Sequence, residues 1–503
     1  MKTMHAVQRL GAAAVLVWLA AFAPAASTLR VPSGGDLQAA IDRASPGDTI
    51  ELEQGATYTG HFVLPEKPGA SFITIRTGGE GLPGEGDRVT PAVAARLAKL
   101  RSPDKQPVLR TAPRAHHWRL EGLEFLATAS GFGDIIVLGD GSARQSARTL
   151  VPHDLVLDRL YIHGDPTTGQ KRGIALNSAS TTIRNSHISE IKAVGQDAQA
   201  IAGWNGPGPY TIENNYLEAA AENFILGGAD PAIEGLIAED VTFRRNHLAK
   251  PEAWKTERWQ VKNLFQLKNA RRVLVEDNLM EYTWKDAQVG YAIVLSPRNQ
   301  NGRAPWVTVE DVTIRRNIVR HAGGGMQIIG EDSNHPSGST RRITVEDNIF
   351  YGIDAARWGG TGAFVLIGQG PSDITIEHNT VSQSGNIIMA YGRGDSLAPV
   401  ENFVFRNNVV RHNQYGVHGA NRAPGRDSLD AFFPGSDFAG NVIAGGESRR
   451  YPGGNTFVAA GDFEKLFVDA ATGDFTPAPG GRLVVKGRRS PGADVKAARS
   501  GTR

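Results

Sequence analysis

Lys268, Arg298 and Glu331 fall at corresponding places of three successive sequence repeats, and their types suit acid–base work on a charged substrate. A lysine serves as a base when desolvation or neighbouring cations lower its pKa. An arginine beside it offers a fixed positive charge. The pair fits elimination from an acidic sugar, which has three requirements. The carboxylate must be neutralised, the adjacent C–H proton removed and the leaving oxygen protonated. Glu331 and His335, in the turn that follows, complete the candidate catalytic set of Lys268, Arg298, His335 and Glu331. Gln266, Gln327 and His418 form one outward column of neighbouring repeats, and Asn177, Trp204, Lys268 and Ser296 the next. The turn beyond also carries Asp332, Arg393 and Asp395. Trp259, Trp284 and Trp358 each precede a strand by six to nine residues, where aromatic faces suit stacking on sugar rings. The substrate-binding candidates are therefore Gln266, Gln327, Trp204, Trp259, Trp284, Trp358, Arg393 and His418. Two other chemistries stay open. Glu331 or Asp332 with Asp395 would make the carboxyl pair of a glycoside hydrolase, and the same groove could bind glycans without cleaving them, as in a surface-adhesion protein.

Such residues converge only if the repeats stack. Strand-like phrases ending in Asn recur at Asn185, Asn215, Asn246, Asn278, Asn317, Asn348, Asn379, Asn408 and Asn441, at steps of 29 to 39 residues. A period of that size marks a stacked-repeat architecture, and alternation within each phrase marks strands. The predicted fold is all-β: a right-handed, single-stranded parallel β-helix, with the Asn side chains laddered at one corner. An apolar strand precedes each phrase. Its inward set is Ile174, Ile201, Phe224, Phe265, Ile293, Met326, Phe364, Ile387 and Val417. Two places later come further core residues, including Leu366 and Met389, while Val365, Ile367 and Ile388 belong to the outward face. Adjacent coils lie about 4.8 Å apart, which places Lys268, Arg298 and Glu331 side by side. Asp36 caps a short helix bearing Leu37, Ile41 and Ala44, which plugs the open end.

The chain has 503 residues, 59 of them glycine, no cysteine and a net charge of +2. One elongated solenoid accommodates that length without a second core. Disulfides and thiolate metal sites are excluded, and no basic run points to nucleic acid. Lys2 and Arg9 precede the apolar run LGAAAVLVWLAAFA and an Ala23-Pro24-Ala25 exit, the pattern of a secretory signal peptide. The expected organisation is a signal peptide at 1–26, a β-helix with its cap at 27–470 and a tail at 471–503. The mature protein is expected to be secreted or periplasmic, bacterial, monomeric and free of membrane insertion.

The opening VPSGGDLQAAIDRASPGDTIELEQGATYTGHFVL resembles the N-terminal cap of secreted β-helix proteins of the pectate-lyase-like superfamily. The closing FVDAATGDFTPAPGGRLVVKGRRSPGADV resembles the tail of secreted bacterial members, and the mature chain looks most like a bacterial group with no assigned activity. The segment FQLKN resembles the lysine segment of polysaccharide lyase family six, the alginate lyases and chondroitinase B. That resemblance implies a secreted lyase of uronate-containing polysaccharide, with Lys268 as base and an arginine on the next coil at the leaving group. Arg298 stands two places beyond the family's arginine, and Leu295-Ser296-Pro297-Arg298 replaces the Arg-His-Gly signature. Calcium is the cofactor the family would imply. Val261 and Asn263 occupy its acidic ligand positions, so no metal ligand is assigned. The Asn-Thr-Asp and Gly-His-Gly signatures of polygalacturonases are absent.

Overall fold

In the computed structural model, residues 26–481, 483 and 489–501 are described. The segment read as a signal peptide lies outside them apart from Ala26. Three long parallel sheets of 12, 14 and 14 strands wind about one axis as a right-handed parallel β-helix. Each coil runs through the first sheet (for example Phe265–Leu267), then the second (Ala270–Glu276), then the third (Leu279–Thr283). A continuous apolar core runs from the capping helix Leu37–Arg43 to Tyr451. Asp36 accepts from the Ala39 amide at 2.9 Å, and Leu37, Ile41 and Ala44 bury their side chains over the first coils. No helix among the described residues is long and apolar enough to cross a membrane.

The corner between the second and third sheets explains the recurring asparagine. From Asn215 through Asn246, Asn278, Asn317, Asn348, Asn379, Asn408 and Asn441 to Asn455, each amide donates to the next Oδ1 at 2.9 to 3.2 Å. The same Oδ1 also takes the backbone N–H of the preceding Asn, at 3.0 Å from Asn278 to Asn317. The residue before each of these corners adopts the left-handed conformation, as at Asp277 (φ 58°) and Arg316 (φ 53°). That conformation is costly for a non-glycine residue, and the amide ladder over-determines it. Asn185 is a correction. It occupies the left-handed place itself (φ 54°), and Ser186 stands in the ladder register, its N–H donating to Asn215 at 2.9 Å.

A second correction concerns the first sheet. Met326 pairs with Val365, and Val365 with Ile388, so Val365, Ile367 and Ile388 point inward while Leu366 and Met389 face out. The reason is a break in alternation. At the start of these strands two successive residues enter the core: Ala200 with Ile201, Leu264 with Phe265, Phe364 with Val365, Ile387 with Ile388. Lining up Phe364 and Ile387 with Met326 takes the first of each pair for the second, and a one-residue slip inverts a strand.

Candidate active site

The first sheet presents a cleft of about 790 Å³, and Lys268, Arg298, Gln327, Glu331 and Trp204 all line it. The placement of Lys268 begins at Gly227, whose positive φ of 89° turns the preceding coil beneath it. A Cβ on Gly227 would fall 2.6 Å from the Asn269 amide nitrogen and 2.9 Å from the Lys268 Cβ, so only glycine leaves this space. The Lys268 N–H donates to Leu226 O at 2.7 Å, and the Arg298 N–H donates to Lys268 O at 3.1 Å. The two candidates therefore sit on adjacent coils in direct backbone contact. The long step between Asn278 and Asn317 loops out beyond Arg298 and does not separate them.

Charge in the cleft is paired almost throughout. Arg298 donates to Asp332 at 3.0 Å and to Gln300 at 2.9 Å, and Asp332 also accepts the Asn299 N–H at 2.8 Å. Glu331 accepts from Arg393 at 2.6 Å and from Ser339 at 3.2 Å. Lys268 differs: among the described residues no side chain bonds its ammonium. Burial lowers its pKa, the nearby Lys262 and Arg298 lower it further, and Glu222 and Asp197 oppose them. An amine with no side chain bonded to it and a lowered pKa is what a general base requires.

Alternation alone does not reveal the cleft's other wall. Asp134, Arg172, Gln199 and Glu222 pair in register along successive strands. Arg172 donates to Asp134 at 2.8 Å and to Gln199 at 2.9 Å, and Gln199 donates to Glu222 at 3.2 Å. Lys262 reaches Asp197 at 2.6 Å and lies 3.8 Å from Glu222. Burial raises the Glu222 pKa, with Asp197 adding to the effect and Lys262 opposing it. Tyr391, laid over Gly368, closes the far end of the cleft.

Several expected residues are elsewhere. Trp259, Trp284 and Trp358 are buried with Trp254 and Val261 in an apolar cluster of their own. Lys192 and Arg258 cover the Trp259 ring, Lys255 and Arg357 cover that of Trp358, and Trp284 is buried, so none offers a face to a sugar. The long turns pack on one another, and on Trp259 and Trp358 stacking cations replace the expected ligand. Gln266 is buried and does not reach the cleft. His335 packs on Gly302 outside it, and Arg393 touches it only through Glu331. His418 lies five strands from Gln266, roughly 24 Å along the axis, against Tyr415. Trp204 does line the cleft: its Nε1 donates to Gly141 O at 2.9 Å, and Arg172 covers its ring at 5.0 Å.

Calcium finds no ligand set at the positions the resemblance implies. Val261 is buried in the tryptophan cluster, and Asn263 is a neutral amide with neither side-chain atom bonded. Among the described residues no three acidic or histidine side chains are disposed around a point as metal ligands. Calcium needs six to eight oxygens, several of them charged. These residues do not fit it.

No protein-family model matches the chain, and neither does any curated protein. Solved structures do. A mannuronic acid specific family 6 polysaccharide lyase from human gut microbiota superposes with a TM-score of 0.56 at 13% identity, over 87% of this chain and 93% of that one. The fold is one that polysaccharide lyases use. The family 6 alginate lyase AlyGC aligns at 15% identity over 86% of this chain and 53% of its own, with a TM-score of 0.47. Pectate lyase Pel9A aligns at 13% identity over 70% and 77%, with a TM-score of 0.40. At such identities the likeness is one of architecture, and chemistry has to be argued from the cleft.

Proposed function

We propose that this protein is an exported polysaccharide lyase that cleaves a uronate-containing glycan by β-elimination in the first-sheet cleft. The observation that carries the proposal is Lys268: an amine of lowered pKa to which no described side chain is hydrogen-bonded, in backbone contact with Arg298, inside the cleft. In its neutral form Lys268 takes the proton from C5 of the uronate. The electron pair forms the C4–C5 double bond and the C4–O4 bond breaks. The departing O4 takes a proton from the Lys268 ammonium, which returns the base to its starting state. Arg298, fixed by Asp332, supplies positive charge toward the leaving oxygen. Trp204 and Gln327 give the sugar chain an aromatic edge and an amide on either side of the reacting coil. The signal-peptide pattern of the first residues supports action outside the cytoplasm, where such polymers are found.

Incubation with a panel of polyuronates, glycosaminoglycans and neutral glycans tests the proposal. Ultraviolet absorbance from an unsaturated product is the expected result. New reducing ends without that absorbance would replace the lyase by a hydrolase, and retention of a glycan without cleavage would reduce the cleft to a binding surface.

A further inference from the structure

Behind the backbone that carries Glu222 and Lys262 of the cleft lies a fully buried cation that the proposed reaction does not use. Lys250 has no exposed surface, and its Nζ donates to Ala219 O at 2.7 Å, Ala221 O at 2.8 Å, Asn223 Oδ1 at 2.8 Å and Asn263 O at 3.1 Å. Those four oxygens come from two successive coils. Ala221 and Asn223 flank Glu222, and Asn263 follows Lys262, so the cage fixes the backbone beneath two charged residues of the cleft. Asn223 is itself held, donating to Leu217 O at 2.7 Å and Ala249 O at 2.8 Å. An isolated ammonium is not tolerated in such a place unless its protons are bound. Four acceptors for three N–H groups meet that condition, whereas a neutral amine would leave oxygens unbound. Burial lowers the Lys250 pKa to about 7, opposed by the carboxylates of Glu222 and Glu218.

We propose that Lys250 is a tethered cation that takes the place of a bound metal ion in holding the backbone behind Glu222 and Lys262, so that the protein folds without calcium. The inference follows from the poor fit to calcium together with the cage, and it stands apart from the lyase reading because its tests need no substrate. Three measurements decide it. Thermal melts of the wild-type chain with chelator and with added calcium should coincide; a fall on chelation would overturn the proposal. Lys250→Met keeps the stem and removes the charge, and should lower Tm by about 5 °C or more; an unchanged melt would show that the ammonium holds nothing. Lys250→Ala opens a small oxygen-lined cavity, where methylammonium but not tetramethylammonium should restore the melt. Equal effects of the two ions would mean no site is formed. Should both variants fail to fold, the wild-type chain still gives an answer. With lysine labelled by 15N and the pH below its titration, the Lys250 side chain should show a slowly exchanging ammonium signal. Its absence would rule out the caged cation.

Discussion

A lysine acts as a base only when neutral, so the groups around Lys268 set the pH at which the proposed reaction runs. Its pKa lies below the ordinary lysine value, and the rate should rise with pH through that lowered value. Glu222 pushes it back up. Glu222→Gln removes this push, so the rising limb of the pH–rate profile should move to lower pH; a limb that stays put would separate Glu222 from the base. Lys268→Ala should cost about 100-fold or more in turnover with the melt unchanged, and Arg298→Ala should lose rate with it. Full activity in both would remove them from the mechanism. That Lys268 and Arg298 share one cleft was legible in the sequence because each lies on or just past a strand whose phase the Asn phrases fix. Glu222 and Gln199 were not. Two successive inward residues precede the regular alternation, and strict period-two reading then assigns Glu222 and Gln199 to the core.

Among the elements, the Asn corner and the tryptophan turns carry separate loads. Asn317→Ala would leave the backbone N–H of Asn278 without its acceptor, strip the Asn278 amide of one of its two bonds and take the side-chain donor from the Val275 carbonyl. Unsatisfied buried polar groups cost about 1–3 kcal/mol each, so a loss of roughly 3 kcal/mol or more in denaturant unfolding is expected. A loss under about 0.5 kcal/mol would reduce the ladder to ornament. The tryptophans divide by position. Trp284→Ala empties a site in a buried cluster and should cost about 3–5 kcal/mol with affinity for glycan unchanged. Trp204→Ala should weaken glycan retention with a smaller change in stability, because its ring lines the cleft. Titration calorimetry beside unfolding curves separates the two, and the reverse pattern would return the buried cluster to the binding site. Sequence spacing gave the tryptophans a common rim. It carried no information on which way the long turns fold, and that depends on contacts between inserts far apart in the chain.

At the scale of the whole molecule, a solenoid is stabilised by contacts between neighbouring coils, and its ends and exposed sheet faces need cover. The helix at Leu37–Arg43 supplies one cover. The chain after the last coils supplies another by turning back along the outer face of the third sheet. Phe463, Leu466, Phe467, Phe475, Val495 and Ala498 pack there on Ile349, Val409 and Val442. Burying a large apolar side chain contributes roughly 1.5–3 kcal/mol, an upper figure because unfolded chains already bury some of it. Deleting residues 463–503 should therefore lower Tm and expose an apolar strip on the third sheet. Strips of that kind drive association, so the shortened chain should elute in size-exclusion chromatography as larger species. The cleft lies on the first sheet, and its glycan binding per folded molecule should be unaffected. A shortened chain that melts with the full one and stays monodisperse would show that the returning segment only rests on the solenoid, and that the coils hold the third sheet alone.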